Sequence, residues 1–154
     1  MKQASEILLV DDNMADIYLA SEALRMNSAS CHVSNVGDGE EALAYLRHEG
    51  CHADSVAPDV VILDLRLPKK SGEAVLAELR SDPKLRKIPV VIFSSSRSNH
   101  DIVRSYELGA NCYLSKPGNL NEFISTVQLI AKFFGGNDAD SEGERWSYQK
   151  RTYC

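Results

Sequence analysis

A short apolar run that ends in an acidic residue is the feature of this sequence that most restricts its fold. Val60–Leu63 consists of four β-prone residues, Asp64 follows directly, and Pro68 comes four positions later. An apolar run of this length, bounded by a turn signal, is typical of a strand buried on both faces of a sheet. In open sheets covered by helices, ligands bind at the carboxyl ends of the strands. Asp64 is therefore expected at a ligand-binding edge.

Other segments of the chain extend this pattern to a complete α/β fold. Four more strands are predicted at Ile7–Val10, Cys31–Val36, Pro89–Phe93 and Cys112–Ser115. Five segments with apolar residues at helical spacing alternate with the strands, the fourth of them at 101–108. This alternation predicts a five-stranded parallel sheet with helices on both faces and right-handed crossovers. The strand order 2-1-3-4-5 is natural for five such units.

The length of the chain, 154 residues, predicts a single domain, and the composition of its last residues predicts a C-terminal tail. The domain is expected over 1–136. The tail, 137–154, is acidic in its first half, and its second half mixes basic residues with Trp146, Tyr148 and Tyr153.

Charge and composition argue against several classes of protein. The net charge of −5 is unfavourable for binding nucleic acid, which usually requires a basic surface. No apolar run approaches the roughly 20 residues of a membrane span, and the polar first six residues do not resemble a signal peptide. The four cysteines lack metal-ligand spacing and are predicted to be free thiols of a cytoplasmic protein.

Polar side chains follow the predicted strands at their carboxyl ends. Asp11 and Asp12 follow the first strand, Asp64 the third, Ser94 the fourth and Lys116 the fifth. Parallel strands would bring them to one edge, where three carboxylates repel: at about 5 Å and an effective dielectric constant of about 20, each pair costs roughly 3 kcal/mol. A divalent cation relieves this repulsion, and a few carboxylates completed by water and phosphate suit Mg²⁺. A carboxylate nucleophile, Mg²⁺, a lysine and a hydroxyl are what phosphoryl transfer needs.

The residues at this edge are similar to the sequence motifs of a known family. Over residues 6–134 the chain resembles the receiver domain of two-component response regulators, which has the flavodoxin-like fold of order 2-1-3-4-5. The matching segments are 9–12 (Leu-Val-Asp-Asp), Leu63-Asp64 with Pro68 and Gly72, 93–95 (Phe-Ser-Ser) and 113–117 (Tyr-Leu-Ser-Lys-Pro). The segments 67–72, 88–91 and 105–113 are similar to single-domain regulators that are paired with phytochrome-type histidine kinases.

The resemblance implies a role for each residue at the edge. Asp64 would be the phosphoacceptor, and Lys116 would contact a phosphoryl oxygen. Mg²⁺ would be held by the side chains of Asp12 and Asp64, by the backbone carbonyl of Arg66, and by Asp11 mainly through water.

The same resemblance implies a switch and a set of partners. Ser94 would hydrogen-bond the phosphoryl group and Tyr113 would change rotamer with it, so that the surface formed by helix 4, strand 5 and helix 5 carries the signal. The expected partners are a sensor histidine kinase, a second copy of the chain across that surface, and a downstream phosphotransfer or effector protein. The dimer is expected from exposed apolar and aromatic positions around Tyr106, Tyr113 and helix 5. The chain would not be an enzyme beyond assisting its own Mg²⁺-dependent phosphorylation and dephosphorylation.

Two positions depart from the usual pattern of the family. Ser94 stands where threonine is commoner, which keeps the hydroxyl and loses a methyl group. Arg66 stands where close relatives often have asparagine, and together with Ser96 it is expected to tune dephosphorylation.

Two other classes of function are compatible with parts of this pattern. Some α/β phosphatases and dehalogenase-like hydrolases also combine an aspartate nucleophile, a lysine and Mg²⁺, but their nucleophile follows the first strand in a DxDx pattern that Asp11-Asp12-Asn13 does not fit. A structural interaction module would use none of this chemistry.

Overall fold

All five predicted strands form, and they pair in parallel in one sheet. The computed structural model of the chain describes residues 5–26 and 31–134. The strands are β1 (Ser5–Val10), β2 (Cys31–Val36), β3 (Val60–Leu63), β4 (Val90–Ser94) and β5 (Cys112–Ser115). Their order is β2-β1-β3-β4-β5, which confirms the prediction. The predicted tail, 137–154, lies outside the described residues.

Within the described residues, five α-helices follow the strands in alternation. They are α1 (Met14–Arg25), α2 (Gly39–Leu46), α3 (Gly72–Ser81), α4 (Asn99–Glu107) and α5 (Leu120–Phe134), with a 3-10 helix at Gly50–His52. Asn13, Asp38, Ser71 and Ser98 cap the first four of them by accepting a hydrogen bond from a backbone N–H of the first turn. The prediction for α4 was wrong by two residues at its start. Ser98 accepts from the N–H of Asp101, and this polar cap precedes the first apolar position of the helix.

The sheet separates two apolar layers, as expected from strands without polar alternation. Ile7 and Leu9 of β1 pack with α1 and α5, whereas Leu8 and Val10 pack with α2 and α3. All four residues of β3 are buried. Because both faces are covered, the sheet can meet solvent only at its edges and at the ends of its strands. No helix within 5–26 and 31–134 is long and apolar enough to cross a membrane.

Arg80 on α3 ties three segments together at the amino end of β4. Its guanidinium donates hydrogen bonds of 2.8 to 3.0 Å to the carbonyls of Gly109, Arg86 and Ile88 and to Asn111 Oδ1. Asn111 Oδ1 also accepts from the N–H of Val90, so the same network holds the first residue of β4. One side chain thereby fixes α3 relative to the strand that leads to Ser94.

Arg80→Ala is expected to lower the free energy of unfolding by about 2–3 kcal/mol, because half-buried acceptors lose a charged donor. Urea denaturation measures this loss. Arg86→Ala is the matched control, since it removes an exposed arginine and keeps the carbonyl that Arg80 contacts. Equal denaturation midpoints for the two variants would contradict the role given to Arg80.

Candidate functional site

The ends of adjacent strands place the predicted acidic residues side by side. β1 and β3 pair through Val10 and Leu63, so Asp11 and Asp64 are the next residues on neighbouring strands. Backbone hydrogen bonds continue past the strand ends: the N–H of Asp64 donates to the carbonyl of Val10 at 3.0 Å, and the N–H of Asp11 to the carbonyl of Val36 at 3.1 Å. The sheet itself thus holds both carboxylates in place.

Three carboxylates form a cluster at this edge. Oxygens of Asp11, Asp12 and Asp64 all lie within 4.8 Å of one another. Asp11 is buried, Asp64 is half-buried and Asp12 is exposed, so the cluster opens to solvent on one side. A set of carboxylate oxygens with room for water fits a hard divalent cation such as Mg²⁺ or Mn²⁺. The predicted grouping of these three residues is therefore present in the structure.

Lys116 places its ammonium group among the carboxylates. Its Nζ donates to Asp11 Oδ2 at 2.7 Å, to Asp16 Oδ2 at 2.8 Å and to Asp64 Oδ2 at 3.0 Å. The backbone of Lys116 is held by a hydrogen bond of 2.8 Å from its N–H to the carbonyl of Ser94. Lys116, directly after β5, therefore lies among the acidic side chains, as predicted.

The electrostatics of this group keep the lysine charged. Burial by itself favours neutral Lys116, but hydrogen bonds to Asp11 and Asp16 and the charges of Asp64 and Asp11 outweigh it, so its pKa is raised. Burial also raises the pKa of Asp11, against the opposing effect of its hydrogen bonds with Lys116 and with the N–H of Asn13. The ammonium is thus a fixed positive charge beside three carboxylates.

Asp16 is the site residue that the sequence pattern did not reveal. It lies in the first turn of α1, where its N–H is capped by Asn13 Oδ1 at 3.1 Å, and its carboxylate reaches Lys116 from the helix. The signal in the sequence that could have revealed it is Asn13, a typical helix cap. Because Asn13 follows β1 so closely, it indicates that the first turn of α1, with Asp16, lies directly beyond the end of that strand.

Asp64 is oriented through both of its carboxylate oxygens. Oδ1 accepts a hydrogen bond of 2.7 Å from the N–H of Leu65, and Oδ2 accepts from Lys116. The side chain is 12% exposed, so it remains accessible to a reactant from the open side of the cluster. An oriented, accessible carboxylate beside a fixed cation can act as a nucleophile toward phosphorus.

Ser94, the last residue of β4, and the polar residues after it form a second group beside the acids. Ser94 is buried, and its Oγ accepts from the N–H of Ser96 at 3.2 Å. Ser96 Oγ donates to Asp101 Oδ2 at 2.5 Å, and the hydroxyl of Tyr113 donates to the carbonyl of Ser96 at 2.8 Å. Ser94 is thus connected through its own loop to α4 and to β5.

Tyr113 is more deeply placed than the sequence suggested. Its side chain is only 3% exposed, and its backbone N–H donates to the hydroxyl of Tyr106 at 2.7 Å. The expectation of exposed apolar and aromatic positions in this region is wrong for Tyr113 itself, because α4 and its preceding loop cover β5 on this side. The exposed apolar side chains of α4 and α5 are Val103 and Leu120.

Arg66 connects the loop after β3 to α4. Its side chain is 78% exposed, and Nη2 lies 3.8 Å from Asp101 Oδ2, the oxygen that also accepts from Ser96. The guanidinium therefore pairs the loop that follows Asp64 with the first turn of α4. Arg66 and Ser96, the two residues predicted to tune dephosphorylation, thus both contact the carboxylate of Asp101.

Comparison with known proteins gives consistent matches to one family. The family model for the response regulator receiver domain matches residues 7–128. Response regulator Rcp1 of Synechocystis sp. is 41% identical over 128 residues, which are 83% of this chain and 87% of that protein.

Solved structures show the same likeness in three dimensions. The phosphorylated cyanobacterial phytochrome response regulator RcpA has a TM-score of 0.82 and 48% identity, covering 86% of this chain and 94% of that chain. The Mn²⁺-bound form of Rcp1 has a TM-score of 0.81 and 40% identity, covering 86% and 95%. Since the family match runs from β1 into α5 and the fold agrees over the same length, this chain belongs to the response regulator receiver domain family of two-component signalling and is homologous to the phytochrome response regulators Rcp1 and RcpA.

Proposed function

We propose that Asp64 accepts a phosphoryl group from a phosphohistidine of a sensor histidine kinase. A carboxylate oxygen of Asp64 attacks phosphorus, the phosphorus–nitrogen bond breaks, and its electron pair stays on the imidazole of the kinase. The observation that carries this proposal is the oriented, accessible carboxylate of Asp64 with Lys116 Nζ 3.0 Å from its Oδ2. In this proposal the chain is not an enzyme with a separate substrate, and it assists only its own phosphorylation and dephosphorylation.

A divalent cation, Mg²⁺ in this proposal, belongs to the same site. The side chains of Asp12 and Asp64 and the backbone carbonyl of Arg66 would hold it, with Asp11 contributing mainly through water. When bound, the cation supplies charge neutralisation between the acidic cluster and the phosphoryl oxygens. The Mn²⁺-bound structure of Rcp1 and the three clustered carboxylates support this assignment.

The residues of this chain provide the rest of the electrostatic stabilisation. Lys116 would offer its ammonium group to a phosphoryl oxygen, and the hydroxyl of Ser94 would donate to another. If the Ser94 side chain turns toward the phosphoryl group, its Oγ gives up the hydrogen bond that it accepts from the N–H of Ser96, which would disturb the Ser96 carbonyl that holds the Tyr113 hydroxyl. This chain of hydrogen bonds supports a switch in which Ser94 and Tyr113 move together.

The output of the switch would be read on the face of α4, β5 and α5. A cavity of about 580 Å³ opens there, lined by Ile102, Tyr113, Pro117 and residues of α5. The exposed side chains of Val103 and Leu120 also belong to these helices. Apolar surface next to a switch residue supports contact with a second copy of the chain or with a downstream phosphotransfer or effector protein.

The homology to Rcp1 and RcpA favours a phytochrome-type histidine kinase as the donor. The test compares phosphotransfer to this chain from an autophosphorylated phytochrome-type kinase and from unrelated histidine kinases. We expect the phytochrome-type kinase to transfer faster, and no transfer to Asp64→Asn. Equal transfer from the unrelated kinases would contradict the assignment of the partner.

The division of the chain belongs to the same proposal. The receiver domain would span 1–136, since the last described helix ends at Phe134, and 137–154 would be a separate tail.

Arg66→Asn is expected to shorten the lifetime of the aspartyl phosphate. The exposed guanidinium belongs to the loop directly after Asp64, from which it would attract the phosphoryl oxygens and hinder the approach of water. A contact of this exposed kind is worth at most about 1 kcal/mol, which corresponds to a change of about threefold to fivefold. The decay of label on the isolated phosphoprotein measures it, with Arg86→Asn as the control from the opposite edge of the sheet. An unchanged hydrolysis rate would remove the tuning role of Arg66.

A further inference from the structure

All three N–H donors of Lys116 are used in this structure. An ammonium group has three donors and no acceptor, and carboxylates of Asp11, Asp16 and Asp64 lie within 2.7 to 3.0 Å of Nζ. The lysine side chain is 6% exposed, so little water reaches it. Any additional acceptor can be bonded only if one of the three carboxylates gives up its contact.

Asp16 is the carboxylate that can leave at the lowest cost. Its side chain is 22% exposed, against 5% for Asp11 and 12% for Asp64, so water can replace the lost hydrogen bond most readily. It is also outside the group of three carboxylates that fits a cation. Asp11 is further held by the N–H of Asn13 at 2.9 Å.

We propose that Asp16 is a positioning residue that holds Lys116 in the unphosphorylated state and releases it to the phosphoryl group. This inference rests on the proposed phosphorylation of Asp64, which adds acceptor oxygens next to a lysine without a free donor. Asp16 on α1 and the phosphoryl group therefore compete for one N–H of Lys116. This competition lowers the stability of the phosphorylated state. When that state forms, α1 loses its contact to Lys116 at the end of β5.

The experiment uses beryllofluoride, which occupies the position of a phosphoryl group on an aspartate, with the full chain at saturating Mg²⁺. Affinity is measured by calorimetry for wild type, for Asp16→Asn and for Glu22→Gln, which removes an acidic side chain farther along α1. We expect the affinity of Asp16→Asn to rise about tenfold, the size of one partly exposed, charge-assisted hydrogen bond, and that of Glu22→Gln to stay unchanged. A crystal structure of the wild-type complex should show Lys116 Nζ beyond hydrogen-bond distance of Asp16 and in contact with the beryllofluoride.

The affinity and the crystal structure together distinguish two explanations: exchange of a Lys116 hydrogen bond from Asp16 to the phosphoryl group, and a general effect of charge on anion binding. Removing a negative charge could raise the affinity for an anion through space, but it would leave the Lys116–Asp16 hydrogen bond in place in the wild-type complex. A retained hydrogen bond, or an affinity of Asp16→Asn equal to that of wild type, overturns the inference. Wild type that binds no beryllofluoride at Asp64 would overturn the proposed function itself, whereas wild type that binds it normally while Asp16→Asn shows no change overturns the role of Asp16 alone.

Discussion

Gly72→Ala is expected to lower the free energy of unfolding by about 2–3 kcal/mol and to slow the phosphorylation of Asp64. A Cβ atom at Gly72 would lie 2.2 Å from the backbone oxygen of Asp64 and 2.8 Å from Cα of Leu65. Both neighbours are backbone atoms of the segment that carries the nucleophile, so the clash cannot be relieved by turning a side chain. Overpacking against backbone of this kind typically costs 1–3 kcal/mol. The glycine is thus required by the close approach of α3 to the end of β3.

The measurement pairs urea denaturation with the rate of phosphorylation by acetyl phosphate. Gly118→Ala is the matched control, because a Cβ there would meet nothing within 4 Å. We expect the control to retain both stability and rate. Wild-type stability and phosphorylation rate in Gly72→Ala would contradict the claim that close packing of α3 against the backbone of Asp64 requires a glycine.

Lys116→Ala is expected to reduce the rate of phosphorylation by about 10²–10³-fold, the usual effect of removing one preorganised electrostatic donor. Lys116 Nζ lies within 3.0 Å of the carboxylates of Asp11, Asp16 and Asp64, so its loss leaves the negative charges of the cluster without their ammonium partner. An anionic phosphodonor is then repelled at the position where the wild-type lysine would attract it. The rate is measured with acetyl phosphate at saturating Mg²⁺.

Lys87→Ala removes an exposed lysine just before β4, at the amino edge of the sheet, and should phosphorylate as wild type does. Lys116→Arg retains a positive charge but not the compact ammonium geometry, so it should recover only part of the rate. A rate for Lys116→Ala equal to that of wild type, in a variant shown to be folded, would contradict the role of Lys116.

The parts of the fold and site that sequence reasoning predicted depend on neighbours along the chain. Buried strands are recognisable from their own residues, and an acid directly after such a strand must lie at the sheet edge. Asp11, Asp12 and Asp64 are therefore predictable from short segments once a parallel sheet is inferred. Lys116 follows from the same reasoning for β5.

The remaining parts depend on contacts that no local pattern reveals. Asp16 reaches a lysine 100 positions away in sequence, and only the packing of α1 above the strand ends brings them together. The burial of Tyr113 depends on how α4 lies against β5, which apolar periodicity does not specify. The start of α4 was missed because its cap is Ser98, one of several serines after β4 that could each have begun the helix.

The most direct test of Asp64 as phosphoacceptor is mass spectrometry of the chain after incubation with acetyl phosphate and Mg²⁺. The proposed function predicts that wild type gains the mass of one phosphoryl group, located at Asp64, and that Asp64→Asn gains none. It also predicts that the group is held on the protein and that no phosphoester is turned over repeatedly. Equal labelling of a folded Asp64→Asn variant, or labelling located at another residue, would contradict the central claim.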